Sequence, residues 1–388
     1  YITASAPAKD AVPGKGGADL SALKGLRADG NLRLGQLKYD KVNIAGLRIG
    51  LKADGQKLDV TPFEAKVDDS NVNASFGVSR FDAPIYTFKV DVDKLDADRY
   101  ITKSESKSSG DIPLDLSVLK TLNASGEAKL GWLKLANVKT SNVKLTLKAE
   151  GGQVALSPFA ADLYQGNMNG SLNVDARSTP AIIFKQDMQN VAVGPLLIDA
   201  INNDMLDGKG TVKIDVKTQG ATVGMLKKGL NGSAALSLVD GAVKGIDVAG
   251  TIRDMKSKLN LFKDKNSIGA DQKKKTDFSE LVATFDIKNG VAHNEDLSMK
   301  APILRLAKGD SKGDIDIGNE KINYLAKPTI VKSLKGQGGA DLDQLAGFSI
   351  PIKITGTFSD PKYAMDFAAI GVALAKSNLL EKVGGEKA

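Results

Sequence analysis

The feature that most constrains this chain is an internal copy. From Asp19 it reads DLSALKGLRADGNLRLGQLKYDKVNIAGLRIGLKADGQKLDVTPFEAKV, and from Asp115 it reads DLSVLKTLNASGEAKLGWLKLANVKTSNVKLTLKAEGGQVALSPFAADL. The two stretches align without a gap at an offset of about 96 residues, with about twenty identities over roughly fifty positions. The register continues beyond them: Asn71 falls on Asn167, Pro84 on Pro180, Lys89 on Lys185 and Asp91 on Asp187. A unit this long, repeated in tandem, lengthens a surface; it does not assemble a single catalytic pocket.

Within each copy the pattern is alternation. Leu47, Ile49 and Leu51 alternate with Arg48, Gly50 and Lys52, and Val72, Ala74, Phe76 and Val78 with Asn73, Ser75, Gly77 and Ser79. Tyr86, Phe88, Val90 and Val92 alternate with Thr87, Lys89, Asp91 and Asp93. The second copy repeats this through Val143, Leu145 and Leu147, Val154 and Leu156, and Met168 to Val174. Period two with one apolar and one polar face predicts half-buried antiparallel strands. Ala53-Asp54-Gly55, Glu150-Gly151-Gly152, Asp240-Gly241 and Asn289-Gly290 read as hairpin turns, because glycine accepts the positive φ of a tight turn. With further strands in the last third, the spacing predicts roughly 20 short strands. Helical signal is confined to Asp19–Leu26, Asp115–Leu122, Val193–Met205, Ile246–Phe262 and residues 364–383, and Lys263–Thr276 reads as a solvated loop.

Composition excludes several function classes. The chain has 388 residues, no Cys and one His, which removes thiol, iron–sulfur and most zinc chemistry. The net charge of +7 comes from 53 basic and 46 acidic residues spread along the chain, so it is no nucleic-acid footprint. No run approaches the ~18 apolar residues of a membrane helix, and Ala368–Ala375 is too short. The opening YITASAPAKD has neither a start Met nor a signal peptide and reads as a fragment or a processed product. His293 has no second imidazole for a metal or a triad and reads as a surface residue. Lys273–Lys275, without interleaved aromatics, reads as a soluble run. Trp132 stands where the first copy has Gln36, which points to peripheral packing. Asp68 and Asp69 fall on Tyr164 and Gln165, so the pair is no repeated acid–base device. No catalytic residue, metal site or cofactor is expected, and no enzyme activity.

An apolar stripe of this kind admits two architectures. One is a closed sandwich with the stripe buried against a second sheet. The other is an open, curved sheet whose apolar face stays available. Aromatics make up only 5% of the chain, and tandem units permit indefinite lengthening, which favours the open sheet. The expectation is a mostly β fold, an elongated curved antiparallel sheet of tandem repeats forming an apolar groove, with a few short helices.

The last third carries a family resemblance. Leu230-Asn231-Gly232-Ser233, Leu236, Asp240-Gly241 and Gly245-Ile246-Asp247 resemble the "LNG…DG…GID" signature of the AsmA family. Asp277-Phe278-Ser279-Glu280-Leu281, Asn289-Gly290-Val291 and Ala301-Pro302 are similar to it as well, as are Ile350-Pro351-Ile352, Gly356-Thr357-Phe358 and Pro361-Lys362-Tyr363. The resemblance implies a Gram-negative periplasmic protein whose parent is anchored in the inner membrane by an N-terminal helix absent from this sequence. It also implies a role in outer-membrane biogenesis, through a groove that binds phospholipid acyl chains and supports lipid transfer between the membranes. The alternative is a non-transporting scaffold that assists outer-membrane protein assembly through strand-edge contacts, with a periplasmic or outer-membrane protein partner.

The implied organisation is a linker over 1–18, β-repeat 1 over 19–112 and β-repeat 2 over 113–220. An AsmA C-terminal-like β module with a helical insertion follows over 221–361, then a C-terminal strand or helix and tail over 362–388. The expected groove lining is Leu47, Ile49, Leu51, Phe76, Val78, Phe88, Val90, Leu145, Leu147, Leu172, Val174 and Phe184. With strands ~4.8 Å apart, one continuous sheet of about 20 strands would extend about 95 Å.

Overall fold

A computed structural model describes residues 20–40, 42–100, 111, 113–257, 268–269, 271–332, 340–365 and 372. The alternating segments form strands. The first copy gives β1 (Arg27–Tyr39), β2 (Val42–Asp54), β3 (Lys57–Val67), β4 (Ser70–Ser79) and β5 (Ile85–Asp96). The second gives β6 (Ala124–Leu135), β7 (Val138–Glu150), β8 (Gln153–Leu163), β9 (Gly166–Asp175) and β10 (Ala181–Ala192). The starts Val42 and Val138, Lys57 and Gln153, Ser70 and Gly166, and Ile85 and Ala181 are each 96 residues apart, and so are the ends of these strands. The duplication therefore holds at the level of single residues.

The bends recur too. Gly46 and Asn142 both take left-handed φ, 62° and 51°, where the β2–β3 and β7–β8 ladders slip register. A second slip follows at Thr61-Pro62 and Ser157-Pro158, both cis. An extra unpaired residue bends a strand and sharpens its twist. Each repeat thus curls its strands at two points.

β1 to β5 form a meander, and so do β6 to β10. The junction between the repeats differs: β5 and β6 are parallel, with Tyr86 opposite Ala124 and Val92 opposite Leu130. Parallel neighbours need a crossover. It leaves β5 beside the β3–β4 turn, where the Tyr100 hydroxyl donates to Asp68 at 2.7 Å, and Asp98 accepts the backbone N–H groups of Ala136 and Asn137. It re-emerges on the other long rim, where Asp111 accepts the Gly224 N–H at 2.7 Å and Leu114 N–H meets the Ala221 carbonyl.

After β10 come α1 (Val193–Ile201), β11 (Leu206–Gln219), α2 (Val223–Lys228), β12 (Asn231–Gly245), α3 (Val248–Ser257), β13 (Ile268–Gly269) and β14 (Asp271–Lys288). The chain continues with β15 (Val291–Asn294), β16 (Ser298–Lys300), β17 (Leu304–Leu306), β18 (Ser311–Asp316), β19 (Lys321–Ala326), β20 (Thr329–Ile330), β21 (Ile352–Thr357) and β22 (Pro361–Met365). All 22 strands belong to one sheet, and the fold is mostly β, as the alternation predicts. From β1 to β14 the ladder is linear. Beyond it the sheet forks onto β15 and β16, then returns through β18, β19, β21 and β22 to pair with β13. This end closes around its own core. Leu238, Ile252, Leu304, Ile330, Leu342, Leu345 and Ile350 are almost wholly buried in it, together with Tyr363 and Met365.

Three expectations need correction. The linear stretch from β1 to β14 extends roughly 60 Å at ~4.8 Å per strand, not 95 Å, because the later strands curl round instead of extending the row. Asp271–Thr276 belong to β14, not to a loop: Thr276 and Lys275 pair with Val243 and Lys244, and the Thr276 hydroxyl donates to the Ile246 carbonyl. Asp240-Gly241 is no hairpin but a kink inside β12. Asp240 takes φ 49°, and the bare Gly241 lets Phe278 and the backbone of Asp207 and Gly208 approach closely. The one or two helical turns expected in Asp19–Leu26 and Asp115–Leu122 are short 3-10 turns at Ser21–Leu23 and Ser117–Lys120, with Leu20 and Leu116, not Asp, at the N-caps. The remainder of Ile246–Phe262 beyond Ser257 and most of 364–383 lie outside the described residues.

Candidate functional site

The cross-strand register turns the alternation into rows. One row runs Leu51, Val60, Phe76, Phe88, Gly126, Leu147, Leu156, Leu172 and Phe184 from β2 to β10. Its neighbour runs Ile49, Phe63, Ala74, Val90, Ala128, Leu145, Phe159, Gly170 and Gln186. Both rows lie on one face and cross nine strands, about 38 Å at ~4.8 Å per strand. Their large side chains are neither buried nor free: most are half-exposed, and Phe76 is 39% exposed.

Flanking rows close the margins. On one side Val92, Leu130, Val143, Ala161 and Met168 are buried with Val191, and α1 packs Leu196 against them. On the other, Ala124, Ala149 and Val154 are buried against Leu119, inside the 3-10 turn before β6, and Leu122, just after it. The cross-section is a half-exposed floor between two packed margins. α1 is tied over its margin by Asp199, which accepts the Tyr164 hydroxyl at 2.6 Å and pairs with Lys139 at 3.0 Å. Burial, reinforced by that carboxylate, pushes the Tyr164 phenol up to about 12, and the same hydroxyl holds Asp199 below the usual carboxylate range.

All twelve expected lining residues lie on this one face. Ile49, Leu51, Phe76, Phe88, Val90, Leu145, Leu147, Leu172 and Phe184 form the two floor rows. Val78 and Val174 stand one row out, still half-exposed. Leu47 departs from the set: it is buried, level with the packed margin. The sequence pattern missed Phe63 and Phe159. The slip at Pro62 and Pro158 shifts the parity, so that Leu58 and Val60 face inward, and then Phe63 and Ala65 do. A proline inside a strand signals such a bulge. Phe63 meets Phe76 edge-on, with centroids 5.6 Å apart.

The floor has one polar intrusion. Gln186 stands where the first repeat has Val90, is 5% exposed, and neither atom of its carboxamide has a hydrogen-bond partner. A buried amide without partners costs about 1–3 kcal/mol. Gln186→Met keeps the volume and removes the polar atoms, so it is expected to stabilise the fold by about 1–2 kcal/mol. A urea midpoint no higher than that of the wild type would contradict this.

The opposite face is a charged ladder. Lys185 pairs with Asp215 at 2.8 Å, Lys213 with Asp187 at 3.6 Å and Arg48 with Glu64 at 3.7 Å. His293 is half-exposed on this side, its Nδ1 2.7 Å from Asp314, as expected of a surface residue. Among the described residues no group of three or more His, Cys, Asp or Glu is placed to hold a metal, and no helix is long and apolar enough to cross a membrane.

The first row runs on through Val216, Gly232, Ile287, Ala292 and Ile315, where Val216, Ile287 and Ala292 are buried, while Ile214, Ala234 and Phe285 in the neighbouring row stay half-exposed. Neither a curated protein nor a solved structure matches the chain. A family model does, over residues 119–297, which span the second repeat and the first part of the curled end. The "LNG…DG…GID" and Asp277–Leu281 segments fall inside that match, whereas Ala301-Pro302 and the segments from Ile350 to Tyr363 fall beyond it. The model is that of the AsmA family, which the chain is similar to over this stretch.

Proposed function

We propose that this protein holds phospholipid acyl chains on its apolar floor and supports lipid transfer between the inner and outer membranes from a periplasmic position. The match to the AsmA family model over residues 119–297 supports a role in outer-membrane and lipid-related biogenesis. The observation that carries the finer reading is the continuous floor of half-exposed Leu, Val and Phe side chains from β2 to β10. Burying an acyl chain on such a surface gains about 0.8 kcal/mol per CH₂, which a chain crossing water forgoes. Successive rungs are chemically alike, so no single station holds a chain much more tightly than the next. The headgroup needs no dedicated site, because the floor is open along its length and the rims are charged and wet.

The test is purification from bacterial membranes in mild detergent, followed by quantitative lipid mass spectrometry. Phospholipid at about one or more per protein is the expected result. A delipidated protein that takes up no phospholipid from vesicles would end the reading. If a co-purifying protein appeared in its place, the scaffold alternative would take over.

A further inference from the structure

The duplication allows a comparison that a single-copy fold does not. β1 and β6 are repeat equivalents, but β6 is covered on both edges and β1, among the described residues, on one. β6 carries Gly126 and Gly131 because β5 lies against it. A Cβ on Gly126 would run into the Phe88 carbonyl and come within 2.6 Å of the Phe88 ring, and one on Gly131 would meet the Asp93 carbonyl. β1 carries Gly30 and Gly35 at the same two positions, and a Cβ on either would meet nothing within 4 Å. Among the described residues nothing around β1 requires these glycines, and glycine inside a strand is unfavourable.

The apolar residues give an independent measure. Leu34 is 37% exposed, whereas its equivalent Leu130, under β5, is 8% exposed. Leu32 and Leu37 are exposed as well, at 49% and 43%. β1 therefore presents both features that β5 fills on β6: clearance for a close backbone and apolar side chains left uncovered.

We propose that the edge of β1 left open among the described residues takes up an extended strand of the β5 type, supplied by another unit of this repeat class. It would run parallel to β1 in the β5–β6 register, with a large apolar side chain over Gly30 and a carbonyl facing Gly35. Main-chain hydrogen bonds would hold the strand, and the alternation would set its register. The described strands of a second copy do not supply it, because β5 already lies between β4 and β6 and β22 lies between β21 and β13. The occupant is therefore the closing strand of another unit of this repeat class, one whose outer edge is open. This inference does not rest on the lipid reading.

The probe is a fluorescent synthetic peptide of Ile85–Asp96, titrated onto the whole protein and followed by anisotropy. Saturable one-to-one binding is expected. The double variant Gly30→Val/Gly35→Val should weaken it about tenfold or more, because the new side chains occupy the strand's place. Without peptide this variant should melt no lower than the wild type, whereas Gly126→Val should melt clearly lower. Three outcomes would overturn the proposal: no saturable binding, equal binding by the double variant, or a concentration-dependent dimer that the peptide does not dissociate. The last would assign the edge to antiparallel pairing between two β1 strands.

Discussion

Leu145→Asp is expected to strip the protein of bound acyl chains while leaving it folded, and Val143→Asp, two residues away on the same face of β7, is expected to unfold the second repeat. The two positions share a strand and a direction and differ in cover. Val143 is 1% exposed in a packed cluster with Leu130, Ala161 and Val191. A carboxylate there has no water and no partner, a cost of about 4 kcal/mol or more. Leu145 is half-exposed between Ala128 and Phe159, so its replacement stays wet and should cost about 1 kcal/mol. A charge in the middle of the floor nevertheless interrupts the apolar path, and retained phospholipid should fall about tenfold or more, equivalent to ~1.4 kcal/mol of binding. Circular dichroism and urea titration report the fold, and lipid mass spectrometry reports the cargo per folded molecule. If Leu145→Asp unfolded the protein as readily as Val143→Asp, with normal lipid on the surviving fraction, the floor would be core.

The second large effect is expected at the curled end. Leu238 is completely buried where β12 and β14 meet, opposite Leu281 and against Phe278 and Ile252 in the same cluster. Leu238→Ala leaves a cavity among strands that hold each other in place, and it should lose about 2–5 kcal/mol, read from the urea midpoint. A loss below about 1 kcal/mol would mean that this end collapses around the gap and is softer than its burial indicates.

Much of the architecture was legible because period-two patterning and repetition are both local signals. The twelve lining residues fall on one face since alternation fixes the face once a strand's register is known. What stayed hidden depends on contacts between distant segments. Asp240-Gly241 has the composition of a turn, yet Phe278 and the Asp207–Gly208 backbone close in on it, and that approach has no sequence signature. The run of lysines at 273–275 looks solvated, and it is, but on a strand paired with β12. Leu47 looks like its neighbours Ile49 and Leu51, and only the packing near the margin separates it from them. The parallel β5–β6 junction was equally invisible, since pairing direction is set by where the crossover lands. Gln186 was passed over because a single polar residue in an alternating strand reads as noise until its missing partners are counted.

The curled end has a consequence for anything lodged in the trough. Past β12 the sheet curls round a packed core of its own, whereas among the described residues no such core stands at β1. On the proposed lipid reading, such a trough would work as a stack and not as a pipe. Acyl chains entering from the β1 end would either back out in reverse order of arrival or spill sideways over a long rim. Delivery would then depend on what is brought alongside the rim, and adding repeats at the β1 end would enlarge the store without opening a second exit.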